Sequence, residues 1–506
     1  MLGSISSVMV IMILSRLLSL VSVQVYMSVF GASDVYMNIY SYVISVPNII
    51  FTCVGTALST VVIPIFVGYM ANNEREKADY FASNIISVSM VLTAVLVVIA
   101  TAGSPVLPYF TSFAKSTETY SFTVKSLMIV MPVMFFYALN YIFQGMLQSM
   151  GRYNLPAFVS VPSSLVVIFY SLFLSDKFGI TGLLIATVIG LSLQAIILIP
   201  PLIKEGYRYK GVLKFKDPDI IKAGKMTVPV LVGVSAYQIN MLYNVTMIAR
   251  FEGMVTLLTY VQNITLYMVL AFVYSVTAVV YPKLTESMAR GEVDEYKATL
   301  RNIISAVTVL LIPITFGFIS VRTQLLDLIA RWGAITSEDV SKAALLLAAY
   351  SIGILGIGLK EILDRAFYSL KDTKTPAING FIIMVINIVL SLIFINFIGA
   401  YGIPLAYSIA SLSGFGVLLY LMKKRIGKFA EGFGVVLVKC IISALVMTVV
   451  VTVINNVLTP IGADTLVWRI IKLGVPCTAG VIVYFVMAVI LKITQVTDFV
   501  KKFVKR

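Results

Sequence analysis

The sequence is built from apolar blocks of about 20 residues, the length at which a helix crosses the hydrocarbon core of a bilayer. Met9 to Phe30 and Val435 to Ile454 are clear cases, each interrupted by one basic residue, Arg16 and Lys439. In lipid the backbone must satisfy its own polar groups, and blocks of this length do so as helices. Composition agrees: 59% of the residues are hydrophobic and 12% are charged, with a mean hydropathy of +0.98. A soluble domain carries roughly 25% charged residues. The first block is too long for a cleavable signal and lacks a basic start or a small-residue cleavage site, so it reads as the first membrane helix.

The net charge of +15 raises the question of nucleic acid, but its placement answers it. Basic residues cluster in alternate loops: Lys204, Arg208, Lys210, Lys214, Lys216, Lys222 and Lys225, then Lys423, Lys424, Arg425 and Lys428, then Lys501, Lys502, Lys505 and Arg506. The loops around Gly31 to Tyr36 and Ile398 to Tyr401 carry no Lys or Arg. This is the asymmetry that sets membrane orientation, and it predicts a cytoplasmic face without nucleic acid as a partner. Cys53, Cys440 and Cys477 lie far apart in apolar segments, which is neither a disulfide framework nor a metal spacing. Histidine is absent, and with it the commonest acid–base catalyst and metal ligand.

Spans are expected near 8–30, 37–70, 84–109, 124–148, 155–174 and 180–203, then 226–249, 255–281, 299–320, 343–369, 376–397, 401–422, 433–455 and 467–491. An internal repeat organises them. Val62-Ile63-Pro64 and Met70-Ala71 return as Val280-Tyr281-Pro282 and Met288-Ala289, and Asn84-Ile85-Ile86-Ser87 as Asn302-Ile303-Ile304-Ser305. Ser149, Pro156-Ala157, Gly179, Gly182 and Ala186 match Ser369, Pro376-Ala377, Gly399, Gly402 and Ala406. A collinear series at nearly constant offset is not a chance property of apolar sequence. The expected fold is therefore an all-α polytopic membrane protein of about fourteen transmembrane helices: two parallel six-helix repeats plus a terminal helix pair. Its divisions are an N-lobe at 1–203, a basic, partly amphipathic linker at 204–225, a C-lobe at 226–422, and the terminal pair with its basic tail at 423–506. Both termini are expected in the cytoplasm, and parallel repeats of this kind suit a transporter that rocks two lobes around a midplane site.

Polar groups at bilayer depth are costly and so mark function or pairing. Arg16 lies within the first block, preceded by Ile11 to Leu14 and followed by Leu17 to Val21, on a helix that also carries Ser15, Ser19, Ser22 and Gln24. It reads as an anion contact in a water-filled cavity between lobes, against the alternative of a snorkelling side chain. Lys360, Glu361, Asp364 and Arg365 form two i,i+4 pairs that can neutralise each other, which favours structural pairing at a gate over catalysis. Amides at depth include Asn48, Asn140, Gln144, Gln194, Gln238, Asn240, Asn244, Gln262, Asn263 and Asn387, many of them candidate interhelical glue. Asn240, Asn244, Gln262 and Asn263 are concentrated enough to suit a cavity wall. Pro47, Pro132, Pro162 and Pro229 fall within spans, where a bent helix can line a cavity.

With these residues assembled, the chain resembles the MurJ (MviN) lipid II flippase family of the MOP superfamily over essentially its whole length. The resemblance rests on Ser15-Arg16 followed by Phe30-Gly31-Ala32, on Val46-Pro47-Asn48, and on Val280-Tyr281-Pro282-Lys283-Leu284. The most specific part is the string from Asp364-Arg365-Ala366-Phe367-Tyr368 to Thr373-Lys374-Thr375-Pro376, which looks like the versions in clostridial-type members. The resemblance implies alternating access for an undecaprenyl-linked diphosphate sugar, with cavity arginines on the diphosphate and the last two helices forming a groove for the lipid tail. Arg16 matches one such arginine. Ser22, Phe51 or Thr52, and Asn263 stand where others are expected, and Asn244 stands where many members have an acidic residue implicated in sodium binding.

The sequence reading is thus a flippase for a polyprenyl-diphosphate-linked cell-wall precursor. Its substrate-binding candidates are Arg16, Ser22, Asn48, Asn244, Gln262 and Asn263, and its gate pairs are Lys360, Glu361, Asp364 and Arg365. Expected partners are the lipid-linked saccharide, membrane lipid and cell-wall synthesis proteins, with no cofactor, metal or catalytic residue. The alternatives are a flippase for another lipid-linked oligosaccharide, a MOP-type exporter, or a non-transporting cell-wall scaffold. A membrane transferase would be expected to show clustered acidic metal ligands or a catalytic histidine.

Overall fold

The structure, a computed structural model, describes residues 2–461 and 465–497. The basic tail residues Lys501, Lys502, Lys505 and Arg506 lie outside the described residues. All regular elements among the described residues are helical. Nine of these helical runs are long and apolar enough to cross a membrane, and eleven if each of two bent pairs counts as one span. Their outward surfaces are apolar, with Val98 67%, Phe173 67% and Phe397 80% exposed. Soluble monomers rarely show apolar surface on this scale. The chain is an all-α polytopic membrane protein.

The chain forms two compact units that divide between Thr256 and Leu257. The first contains α1 (Leu2–Phe30), α2 (Val35–Ala71), α3 (Arg75–Gly103), α4 (Thr117–Val130), α5 (Val133–Ser149), α6 (Asn154–Phe158), α7 (Ser160–Phe173), α8 (Ser175–Ile196), α9 (Ile199–Lys204) and α10 (Pro218–Ile248). Asp34 starts α2 by accepting a hydrogen bond from the Met37 amide at 2.9 Å, which satisfies one of the orphan donors of the first turn. Pro132 separates α4 from α5, because proline cannot donate to the helical ladder, and α10 bends by 45° between Val228 and Val230. α2 packs against α5 and α10, and α1 against α6 and α7. A hydrophobic core in this unit joins Phe66, Phe81, Ile85, Ile142, Met146, Leu202 and Tyr207.

The α10 helix, assigned to the second half by the sequence division, belongs to the first compact unit. It also begins inside the segment expected as linker. Asp217 caps it by accepting from the Asp219 amide at 2.9 Å, and Pro218 supplies its first turn. The non-helical linker is therefore 205–217, and Lys222 and Lys225 ride on α10. The linker is clamped to α3. Asn84, fully buried, donates to the Lys214 carbonyl at 3.1 Å and accepts from the Lys214 amide at 2.8 Å. Ser83 accepts from the Lys210 amide at 3.0 Å and shares a 3.2 Å hydrogen bond with the Tyr207 hydroxyl. Burial pushes the Tyr207 phenol up to about 12, with the Ser83 bond opposing, so this anchor is neutral at physiological pH.

The second unit contains most of α11 (Met254–Ala289), then α12 (Val293–Ile329), α13 (Ser337–Ser351), α14 (Ile354–Ser369), α15 (Lys374–Ile398), α16 (Gly402–Ile426), α17 (Phe433–Leu458) and α18 (Leu466–Ile490). Thr336 and Asp339 form a reciprocal capping box that starts α13. α15 and α16 form a hairpin reversed at Gly399, whose φ of 58° is a conformation that favours glycine. α13 and α14 meet at a 41° bend. There α14 lies backbone-to-backbone on α16: a Cβ at Gly356 would approach the Leu412 amide nitrogen to 2.6 Å. We expect Gly356→Ala to cost about 1–3 kcal/mol through this overpacking. The check is a thermal melt of the purified protein in detergent; an unchanged midpoint would mean that the helices separate freely here.

The terminal pair α17–α18 is fastened to α12 by polar contacts as well as by its apolar face. The Tyr484 hydroxyl donates to the Val309 carbonyl at 2.8 Å, and Asn455 donates to the Ser320 carbonyl at 3.1 Å. Arg469 donates to the Arg331 carbonyl at 2.8 Å and lies 3.7 Å from the Asp327 carboxylate, which also pairs with Arg331 at 3.1 Å. In lipid such bonds supply what the hydrophobic effect cannot, since tails are as apolar as leucine.

Candidate functional site

In the first unit α1 carries Arg16 and Ser22. Arg16 is exposed, whereas Ser15 and Ser22 are buried. The polar side of α1 holds the helix in place: the Ser15 hydroxyl donates to the Ala157 carbonyl at 3.0 Å, and Ser19 shares a 3.3 Å hydrogen bond with Ser164. Ser15 and Ser19 thus serve packing against α6 and α7, and Arg16 is the exposed polar group beside them.

Asn48 follows Pro47 on α2 and is exposed. Its amide donates to the Tyr137 hydroxyl at 3.4 Å, and the Thr52 hydroxyl donates to the Asn48 carbonyl at 2.7 Å. Phe51 is fully buried against the rings of Tyr137 and Tyr141. Of the two positions that could replace a family arginine, Thr52 is therefore the one beside Asn48 on the open side of α2. The Cys53 thiol lies 3.3 Å from the Ser235 hydroxyl and ties α2 to α10, and all three cysteines are unbridged.

Asn240 and Asn244 on α10 are each only 2% exposed, so in this conformation both face protein. Asn244 offers an amide where a sodium site of the implied kind would need a carboxylate, and α10 has no acidic residue beyond Asp219. α10 therefore lacks the carboxylate that such a site would draw from it. Asn140, Gln144 and Gln194 are interhelical glue. Gln144 donates to Asn140 at 2.9 Å, Asn140 to Gln194 at 3.4 Å, and Gln194 to the Ser163 hydroxyl at 2.7 Å, joining α5, α8 and α7.

In the second unit Gln262 and Asn263 are half-buried on α11. The α14 cluster pairs with itself, as its spacing predicts: Lys360 lies 2.5 Å from Asp364, and Arg365 lies 3.0 Å from Glu361. The Asp364 side chain is 8% exposed and that of Lys360 26%, so this pair sits largely out of solvent. After α14 the turn is closed by Asp372, which accepts from the Thr375 amide at 3.0 Å and hydroxyl at 2.8 Å. Burial works against its charge, but these bonds and those from Lys374 hold the carboxyl below its ordinary range.

Two features escaped the sequence reading. One is the Asn84 clamp on the linker; its signal was the asparagine within the repeated Asn-Ile-Ile-Ser, but the partner lies 130 residues away. The other is the Arg469–Asp327–Arg331 group, whose members lie on α18, on α12 and just past the end of α12.

A sequence model of the family described as "Lipid II flippase MurJ" matches residues 27–471. The chain belongs to this family. Among MurJ relatives, a protein of Vibrio cholerae serotype O1 named "Probable lipid II flippase MurJ" is 27% identical over 420 residues, 80% of each chain. A Thermotoga maritima protein of the same name is 25% identical over 497 residues, 96% of each chain. The solved structure titled "Lipid II flippase MurJ, inward closed conformation" shares the fold with a TM-score of 0.80 at 24% identity, covering 96% of this chain and 99% of that one. An inward-facing multidrug resistance MATE transporter of the MOP superfamily shares it more loosely, with a TM-score of 0.66 at 14% identity, covering 81% of this chain and 94% of that one.

Proposed function

We propose that this chain is a lipid II flippase. It carries a polyprenyl-diphosphate-linked peptidoglycan precursor from the inner to the outer leaflet of a bacterial plasma membrane by alternating access. The observation that carries the reading is the MurJ family match over residues 27–471. Relatives named as probable lipid II flippases align over as much as 98% of their length. Transporters of this family carry out no covalent chemistry, so the chain is a transporter and not an enzyme.

The finer architecture is part of the proposal. Fourteen spans follow if the bent pairs each cross once, if Lys374–Ile426 is divided at Gly399, and if α1 and α11 also cross. Two parallel six-helix repeats are supported by recurring left-handed backbone: Asn73 and Gly291, Gly151 and Lys371, and Gly179 and Gly399 all have positive φ, about 220 residues apart. In this reading both termini are cytoplasmic, 1–203 and 226–422 are the two repeats, and 423–506 is the added pair with its tail. In the first repeat Arg16 is the proposed diphosphate contact, and Ser22 and Asn48 are proposed substrate contacts. In the second, Asn244, Gln262 and Asn263 are proposed substrate contacts, and the α14 ion pairs a gate. Cell-wall synthesis proteins are proposed partners.

One observation favours a second cargo. Ser22, Phe51 or Thr52, and Asn263 are neutral where the resemblance leads one to expect arginines, so another lipid-linked oligosaccharide with less anionic charge is the competing substrate. The test is complementation: the chain is expressed in bacteria depleted of their own lipid II flippase, and lipid II arriving in the outer leaflet is measured. Rescue is the expected result. A well-inserted protein that does not rescue would exclude lipid II and move the reading to the competing cargo.

A further inference from the structure

The linker between α9 and α10 has no part in the transport reading, yet its chemistry is distinctive. It joins two membrane-crossing runs, one ending at Lys204 and the next beginning at Pro218, so it lies at a membrane–water boundary. From Arg208 to Lys216 basic and apolar residues alternate, with Arg208, Lys210, Lys214 and Lys216 at even positions and Tyr209, Leu213 and Phe215 at odd ones. The backbone between Tyr207 and Lys214 is neither helix nor strand. Both sets reach the surface: Tyr209, Leu213 and Phe215 are 56%, 52% and 48% exposed, and the four basic side chains are exposed as well.

The acids of the linker region are turned into the fold. Glu205 pairs with Arg152 at 2.7 Å, Asp217 caps α10, and Asp219 accepts from the Tyr69 hydroxyl at 2.5 Å. No ion pair among the described residues engages Arg208, Lys210 or Lys216. The outward face is therefore basic and apolar together. The Asn84 and Ser83 bonds already fix its backbone at Lys214 and Lys210, and Ser87 shares a 2.8 Å hydrogen bond with the Tyr209 hydroxyl. A segment ordered beforehand loses less entropy when a ligand arrives.

We propose that residues 208–216 form a docking site for anionic phospholipid of the adjoining leaflet. Lys210, Lys214 and Lys216 hold lipid phosphates, while Tyr209, Leu213 and Phe215 enter the boundary between headgroups and acyl chains. Charge and position choose this occupant: basic residues beside a membrane attract anionic headgroups, and exposed apolar side chains among them gain by insertion. A soluble anion would make no use of the apolar three.

The experiment uses the full chain in nanodiscs of phosphatidylcholine alone and of phosphatidylcholine mixed with phosphatidylglycerol. A water-soluble amine-acylating reagent is applied, and labelling at each lysine is read by mass spectrometry. Labelling of Lys210, Lys214 and Lys216 is expected to fall about fivefold or more with phosphatidylglycerol present. Bound phosphatidylglycerol, counted by native mass spectrometry, is expected to drop in the triple variant Lys210→Gln, Lys214→Gln, Lys216→Gln. Equal labelling in the two discs would overturn the proposal, and the unmodified protein alone decides this if the variant does not fold. Equal protection by inorganic phosphate added to phosphatidylcholine discs would also overturn it, by marking an unspecific anion patch.

Discussion

Arg16→Ala is expected to reduce transport by about ten- to a hundredfold while expression and membrane insertion stay normal. The side chain is exposed on α1, and the helix is held in place by its neighbours: Ser15 bonds to the Ala157 carbonyl and Ser19 to Ser164. Removing the guanidinium therefore spares the docking of α1. What it would remove is the proposed charge-assisted contact to a diphosphate, worth about 1.5–3 kcal/mol. Tenfold corresponds to about 1.4 kcal/mol, which gives the stated range. Arg16→Lys keeps the charge and loses the planar fork, so it is expected to fall between the two. The measurement is lipid II reaching the outer leaflet at matched protein level. Full transport by Arg16→Ala would remove Arg16 from the site and leave the family assignment untouched.

Lys360→Met is expected to destabilise the protein by about 3–5 kcal/mol, because it strips a largely buried carboxylate of its counter-charge. The Asp364 side chain is 8% exposed, and its bond to Lys360 at 2.5 Å is the hydrogen bond that it makes on α14. Its other carboxylate oxygen is buried without a hydrogen-bond partner among the described residues. The double variant Lys360→Met, Asp364→Leu is expected to recover most of the loss, since a buried ion pair replaced whole by apolar groups is often neutral. Thermal unfolding in detergent measures both. A single variant as stable as the parent would show that water reaches Asp364, and would favour an open gate over a structural pair. By contrast Arg365 is 40% exposed beside Glu361, so Arg365→Gln is expected to cost little.

Features that depend on nearest neighbours along a helix were legible before the structure. The α14 ion pairs follow from four-residue spacing, and the hairpin reversal at Gly399 was marked by a glycine repeated from Gly179. The break between α4 and α5 was announced by Pro132. The start of α10 was written in Asp217-Pro218, although the charge run drew the expected linker past it to Lys225. The candidate site was less legible. Composition marked α1 as polar on one side, yet it could not say that Ser15 and Ser19 face α6 and α7 while Arg16 is exposed. Nor could it choose between Phe51 and Thr52, which differ in burial only because Tyr137 and Tyr141 of α5 cover Phe51.

The sequence by itself determined that this chain is a bundle of membrane helices. Apolar blocks of bilayer length leave the backbone no other way to pair its polar groups in lipid. The charge of the loops and the internal repeat are likewise properties of the string. Tertiary structure alone decided what each polar residue is for. Asn84 grips the backbone of Lys214 from 130 residues away, Asn140 and Gln194 bind helix to helix, and Arg469 ties the terminal pair to Asp327 of α12. The physical reason is that, inside a membrane, an amide or hydroxyl is costly until it finds a partner, and the partner is set by which helices pack together.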